Sequence, residues 1–178
     1  MKVSVLSIFI LLIFSIMGFA QSMPETLDAK YYTEYSLNTF KQLPALHQKI
    51  ANSKFNYSSA LEKAALGHSI DMVDQNFYSH QSPVPDKEDL SDRLKQVGVN
   101  FTACAENIYD FNDENPTYWS LASLLVEGWM NSSGHRRNIL NPEYKYLGCG
   151  AWPYNNPEWP TYKWFKSTQD FSNKDAGQ

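Results

Sequence analysis

His80 and His135 are the residues of this chain whose type and setting could do chemistry. Each falls where a helical pattern gives way to a loop, in Tyr78-Ser79-His80 and in Ser133-Gly134-His135, and loops on a rigid scaffold are where sites are usually built. Glu106, in the strand-like stretch CAENIY at 104 to 109, adds a carboxylate. Two neutral imidazoles facing each other can bind Zn²⁺, and a carboxylate can orient one ring or join as a further ligand. A hydrolytic zinc site wants three protein ligands and an open position for water. His80, Glu106 and His135 are the only candidates, so an adventitious metal site is a better expectation than a catalytic one. The same residues could form a general acid–base pair with Ser79, Ser132 or Ser133 as nucleophile. No strained nucleophile elbow surrounds these serines, and serine is common at helix ends, so capping is the better reading of them. A third reading needs no ligand: a buried polar network that pins loops to the sheet. His68 lies on an apolar helical stripe and reads as a core histidine, and His47 follows the Pro44 break with no companion.

The elements that must position these residues are legible in outline. Leu61, Ala65, His68 and Met72 share one helical face, which predicts a helix from about Ser59 to Asn76, with Ser59 and Glu62 resembling a capping box. QSPVPDKED reads as a surface loop running into a short helix over Leu90 to Val97 that Gly98 ends. FNDENP then reads as a polar loop, and Leu121, Leu125 and Trp129 predict a helix over Thr117 to Asn131. LGCGAW and TYKWFKSTQDF look like a hairpin joined by the turn-rich WPYNNPEWP, whose aromatics are better read as packing than as a sugar platform. Helices first, then strands interleaved with one more helix, imply an α+β sandwich rather than a doubly wound parallel sheet. The tail SNKDAGQ, 172 to 178, is expected to fray.

Composition sets the outer bounds. A chain of 178 residues with 43% hydrophobic and 15% aromatic content is enough for one globular domain and excludes disorder and low-complexity classes. A formal net charge of -4 argues against nucleic acid as a partner. Lys2 precedes an uninterrupted apolar run that ends at Gly18, Phe19 and Ala20, which predicts a signal peptide over residues 1–20 and export; an uncleaved membrane anchor is the alternative. A helix-prone segment over 21–57, broken at Pro44, would precede the core at 58–171 and belong to the same domain. In an exported chain the two cysteines, Cys104 and Cys149, are expected to be joined, a staple worth about 4 kcal/mol in the chain-entropy model.

Taken together, ALGHSIDM at 65 to 72, FYSHQSP at 77 to 83, AENIY at 105 to 109 and WMNSSGHRRNILNPEYKYLGCG at 129 to 150 resemble the CAP superfamily, in its bacterial form. This superfamily comprises the cysteine-rich secretory, antigen 5 and pathogenesis-related 1 proteins. The resemblance spans about Leu61 to Phe171 and implies a three-layer α-β-α sandwich with a cavity lined by two histidines and two acids. His80 and His135 match the histidine positions and Glu106 one acid. The fourth place is open, since Ser132 stands three residues after Trp129 where many members carry an acid, and Glu127 should point to another side of the helix. The resemblance also places Cys104 and Cys149 beside the cavity. It implies a secreted binding module for a metal ion such as Zn²⁺, a lipid or an extracellular, cell-surface partner, acting as a monomer or weak dimer and requiring no cofactor. A protease-like hydrolase using the His/Glu cluster is the alternative.

Overall fold

A computed structural model describes residues 55–178. The leader expected over 1–20, His47 and the helical pieces expected before residue 53 lie outside the described residues. Among the described residues no helix is long and apolar enough to cross a membrane.

Ser58, in an extended conformation, caps helix α1 (Ser59–Asp74), its Oγ accepting from Leu61 N–H at 3.1 Å. The cap falls one residue before the expected Ser59–Glu62 box. Leu61, three residues on, has no acceptor to return, and Ser58 Oγ donates instead to Asp175 at 2.5 Å. The predicted stripe is buried as spacing dictates, with Leu61, Ala65, His68 and Met72 all at 0% exposure. Helix α2 (Leu90–Gln96) opens with a reciprocal capping box between Asp89 and Asp92 and is followed by Gly98 at φ 78°, a conformation glycine adopts without strain. Helix α3 (Tyr118–Asn131) opens on a second such box, between Thr117 and Ser120.

Four strands form one sheet: β1 (Asn56–Tyr57), β2 (Cys104–Asp113), β3 (Tyr146–Tyr154) and β4 (Lys163–Ser172), in the order β1-β3-β4-β2. β1 runs parallel to β3 and the other pairs are antiparallel. Side chains alternate faces along a strand. Leu147, Cys149, Phe165 and Phe171 therefore meet Leu121, Leu125 and Trp129 of α3, and Ile139 of α4 (Ser133–Leu140), in the larger apolar cluster. The opposite face takes α1, against which Leu94 of α2 also packs through Leu61 and Ala64. Gly148 and Gly150 set how closely α1 approaches: a Cβ on either would run into the α1 backbone at Leu61–Glu62 or Ala65–Leu66. Helices thus cover both faces of the sheet, the α-β-α arrangement that was expected.

Three expectations differ from the fold. The polar FNDEN stretch is not all loop, because β4 continues far enough to pair Asn112 with Trp164 and Asp113 with Lys163. The loop expected after α3 is helix α4, which turns almost at once after Ser132 and whose only buried residue is Ile139, too weak an apolar signal to read as a helix. The C-terminal tail is tied down rather than frayed, with Asn173 N–H donating to Ala103 O at 3.1 Å and Val99 bridging to Ala176.

The Cys104–Cys149 bridge does not form: the two sulfurs are not bonded to each other. Cys104 pairs in register with Ser172 and Cys149 with Gln169, on strands lying to either side of β4. That odd offset puts their side chains on opposite faces, Cys104 in the α1 cluster and Cys149 in the α3 cluster, out of reach of disulfide geometry. Burial first, then the charges of Asp170, Asp89 and Glu106, push the Cys104 thiol up to about 11, which disfavours the thiolate, the nucleophilic form. Thiol titration of the protein denatured without reductant is expected to count two thiols per chain; a count of none would require the bridge.

Candidate functional site

Glu106 lies on the α1 face of β2, opposite Asp170 of β4, and beyond Asp170 the same row reaches Gly148. The missing side chain at Gly148 lets α1 close over this row. The Glu106 side chain is 3% exposed, so its charge must be met within the protein. His80 meets one oxygen: its Nδ1–H donates to Oε1 at 2.7 Å. Arg93 of α2, also buried, meets the other through Nη2 at 2.8 Å. The same guanidinium donates to Lys87 O at 3.1 Å and to His80 O at 3.3 Å, fixing the backbone that carries the histidine. His68 holds the loop from the other side, its Nε2 lying 3.0 Å from Ser79 O and 3.8 Å from Glu106 Oε1. The expectation that His68 is a satisfied core histidine is half right, since its Nδ1 is buried without a partner.

The electrostatics follow from this packing. Burial alone would raise the Glu106 pKa, but the His80 hydrogen bond and the neighbouring His68 and Arg93 charges outweigh it and hold the carboxyl below its usual range. Asp170 is fully buried beside Glu106, and burial, then the negative charge of Glu106, with a hydrogen bond to that carboxylate acting the same way, hold its carboxyl well above the usual range. Two carboxyl groups in one row of the sheet are thus pushed in opposite directions, Glu106 down and Asp170 up.

His135 reaches the same place by a different route. It sits in the first turn of α4, on the other side of the sheet, and β2 is an edge strand. α4 is tied to that edge by Asn138, whose Nδ2 donates to Glu106 O at 3.3 Å and Asn107 Oδ1 at 2.8 Å, and by Asn107 Nδ2, which donates to His135 O at 3.3 Å. The ring comes near enough to His80 that the His80 charge, after burial, lowers the His135 pKa. Its Nδ1 is buried and unpartnered. The structure therefore joins His80 directly to Glu106 and brings His135 up as a neighbour bonded to neither.

Among the described residues, the acid that stands opposite Glu106 in the sheet is Asp170 of β4. Glu127 is exposed and Ser132 is the shared cap of α3 and α4, its side chain making no capping bond. Ser79 Oγ accepts from Gln81 N–H at 3.0 Å, a local turn bond, and makes no hydrogen bond to His80, Glu106 or His135. Arg93 and Asp170 were not anticipated. Asp170 carried a usable signal: a strand that pairs on both edges and is covered on both faces must bury every residue it carries, acids included. Among the described residues no three His, Cys, Asp or Glu side chains are placed to hold a metal ion together. Glu106 already accepts one hydrogen bond on each oxygen, from His80 and from Arg93.

The Cysteine-rich secretory protein family model, CAP, matches residues 48–172, and the chain belongs to that family. An uncharacterized protein of Bacillus subtilis, YkwD, is 35% identical over 129 residues, 72% of this chain and 45% of the relative. The uncharacterized membrane protein YlbC of the same organism is 37% identical over 100 residues, 56% of this chain and 26% of the relative. The chain thus spans less than half the length of these curated relatives. Among solved structures it resembles an extracellular protein containing an SCP domain from Bacillus anthracis, with a TM-score of 0.56 and 29% identity over 79% of this chain and 41% of that one.

Proposed function

We propose that this CAP domain is an extracellular binding module whose ligand face is the His80–His135 edge of the sheet, and that Zn²⁺ or a similar borderline metal ion is what this face takes. The observation that supports the reading is the 2.7 Å bond from His80 Nδ1 to Glu106 Oε1. It fixes the ring's tautomer and leaves Nε2, on a side chain 55% exposed, with a free lone pair, the arrangement in which a carboxylate orients a metal-binding histidine. His135 stands beside it as the second imidazole. Two protein ligands leave coordination positions for donors from outside, which suits a domain that meets a cell-surface partner or a lipid head group through the metal. The hydrolytic alternative is disfavoured, because Glu106 already accepts hydrogen bonds on both oxygens and none of Ser79, Ser132 and Ser133 is hydrogen-bonded to His80, Glu106 or His135. Export rests on the leader read at residues 1–20 and on the extracellular SCP-domain neighbour.

Calorimetric titration with zinc chloride is expected to show one ion per chain. His80→Ala and His135→Ala should each weaken it at least about tenfold, a single lost ligand being worth more than one hydrogen bond. Equal zinc binding by wild type and His135→Ala, with both folded by circular dichroism, would remove His135 from the site.

A further inference from the structure

His80 and His135 reach one edge of the sheet from opposite faces, and they are held in different ways. The His80 ring is aimed directly by its bond to Glu106. The His135 ring has no such bond to Glu106 or His80, and its Nδ1 is buried without a partner. Where that ring points therefore depends on where the backbone of α4 is held. Part of that hold is a row of amides that runs inward from α4 to the middle of the sheet.

The row is built on strand register. Asn107 on β2, Gln169 on β4 and Cys149 on β3 are paired neighbours, so their side chains stand side by side on the α3 face. Phe165 and Phe171 share that face of β4, in the larger apolar cluster, and Asn107 and Gln169 are both fully buried. Burying an amide there costs free energy unless its hydrogen bonds are met. Gln169 Oε1 accepts from Asn107 Nδ2 at 3.0 Å, and Gln169 Nε2 lies 3.8 Å from Cys149 Sγ, a weak acceptor. The second Asn107 Nδ2 hydrogen goes to His135 O at 3.3 Å, and Asn107 Oδ1 accepts from Asn138 Nδ2 at 2.8 Å. Asn138 gives its other hydrogen to Glu106 O at 3.3 Å.

Both hydrogens and the oxygen of the Asn107 amide are thus engaged, and only one orientation of it works. Turned over, its oxygen would face Gln169 Oε1 and His135 O, and its nitrogen would face the Asn138 amide nitrogen. Gln169 sets that orientation from the inside, by offering Asn107 an acceptor that no apolar side chain supplies. Asn107 carries it outward to the carbonyl of His135 itself. Asn138 joins α4 to the backbone of Glu106, whose side chain aims His80, so the row spans both imidazoles. We infer that the row Gln169, Asn107, Asn138 is a positioning device for His135, with Gln169 as its inner anchor, and that it sets the spacing of the two histidines. The inference rests on the reading of the histidine face as a metal site and adds to it residues that do not touch the ion.

Gln169→Met keeps the length of the side chain and removes the carbonyl acceptor, and Asn138→Ala breaks the row at its outer end. Each variant of the full chain is followed by imidazole carbon and proton resonances without zinc, and by calorimetric titration with zinc chloride. The His135 ring resonances are expected to move or broaden in both variants, more than those of His68, which is tied to Ser79 on the other face of the sheet. Zinc affinity should fall about three- to tenfold, the worth of one net hydrogen bond. In a His135→Ala background, Gln169→Met should change zinc affinity no further. A row that served stability alone would lower the melting temperature without moving the His135 ring selectively. His135 resonances that stay in place in both folded variants, or an equal loss of zinc affinity with and without His135, would overturn the assignment. If wild type binds no zinc, the metal reading falls, and the ring resonances still decide whether the row positions His135.

Discussion

Replacing Arg93 by methionine is expected to destabilise the domain by about 3–5 kcal/mol, the typical cost of leaving one partner of a buried ion pair uncompensated. Glu106 is 3% exposed and Arg93 2%, and they meet at 2.8 Å. Two things are lost together: the Glu106 carboxylate loses the cation that balances it, and the His80 and Lys87 carbonyls lose their shared donor. At roughly 2–4 °C per kcal/mol for a domain of this size, the melting temperature should fall by about 10 °C. Adding Glu106→Gln to the same chain should recover a large part of the loss, since the amide removes the orphaned charge and still accepts from His80. A single Arg93→Met variant within about 1 kcal/mol of wild type in chemical denaturation would show that Glu106 does not depend on Arg93. So would a double variant that simply sums the two single losses.

The layers of the fold were legible because apolar spacing is a local signal. Leu61, Ala65 and Met72 announce α1, and Leu121, Leu125 and Trp129 announce α3, since each must hide one helical face whatever it packs against. The Gly-Cys-Gly step was read as a strand, but its purpose is visible only once α1 is seen lying against Gly148 and Gly150. The site was half legible for the same reason. His80, Glu106 and His135 stand out as chemically capable residues in short words, whereas Arg93 sits in a seven-residue helix that reads as a surface element. Nothing local to Arg93 says that its guanidinium turns inward to a strand thirteen residues further along the chain. The cysteine pairing failed on register. Two cysteines in strands look bridgeable until Ser172 and Gln169 are recognised as their partners on β4, which fixes them to opposite faces.

Asp170 offers the sharpest test of how the buried charges are arranged. Burial, reinforced by the negative charge of Glu106 and opposed by Arg93, holds its carboxyl well above the ordinary range, so the folded protein keeps this proton to a higher pH than the unfolded chain does. In the unfolded chain it loses that proton near pH 3.9. Between that pH and the higher folded value, the unfolded state binds fewer protons than the folded one, and stability falls by about 1.4 kcal/mol for each pH unit. Glu106 contributes in the opposite sense: its folded pKa is depressed, so its stabilisation is present above about pH 4.3 and is lost as the pH falls through the folded value. Asp170→Asn isolates the first effect. Asparagine has the shape of the protonated acid, has a donor to offer Glu106, and has no proton to lose. The variant is therefore expected to exceed wild type in stability at pH 7, with the advantage shrinking as the pH is lowered and vanishing below about pH 4, where Asp170 is protonated in both states. Urea unfolding from pH 4 to 7.5 measures the difference directly. An asparagine variant less stable than wild type by a constant amount at every pH would mean that Asp170 is ionised in the folded protein and shares Arg93 with Glu106.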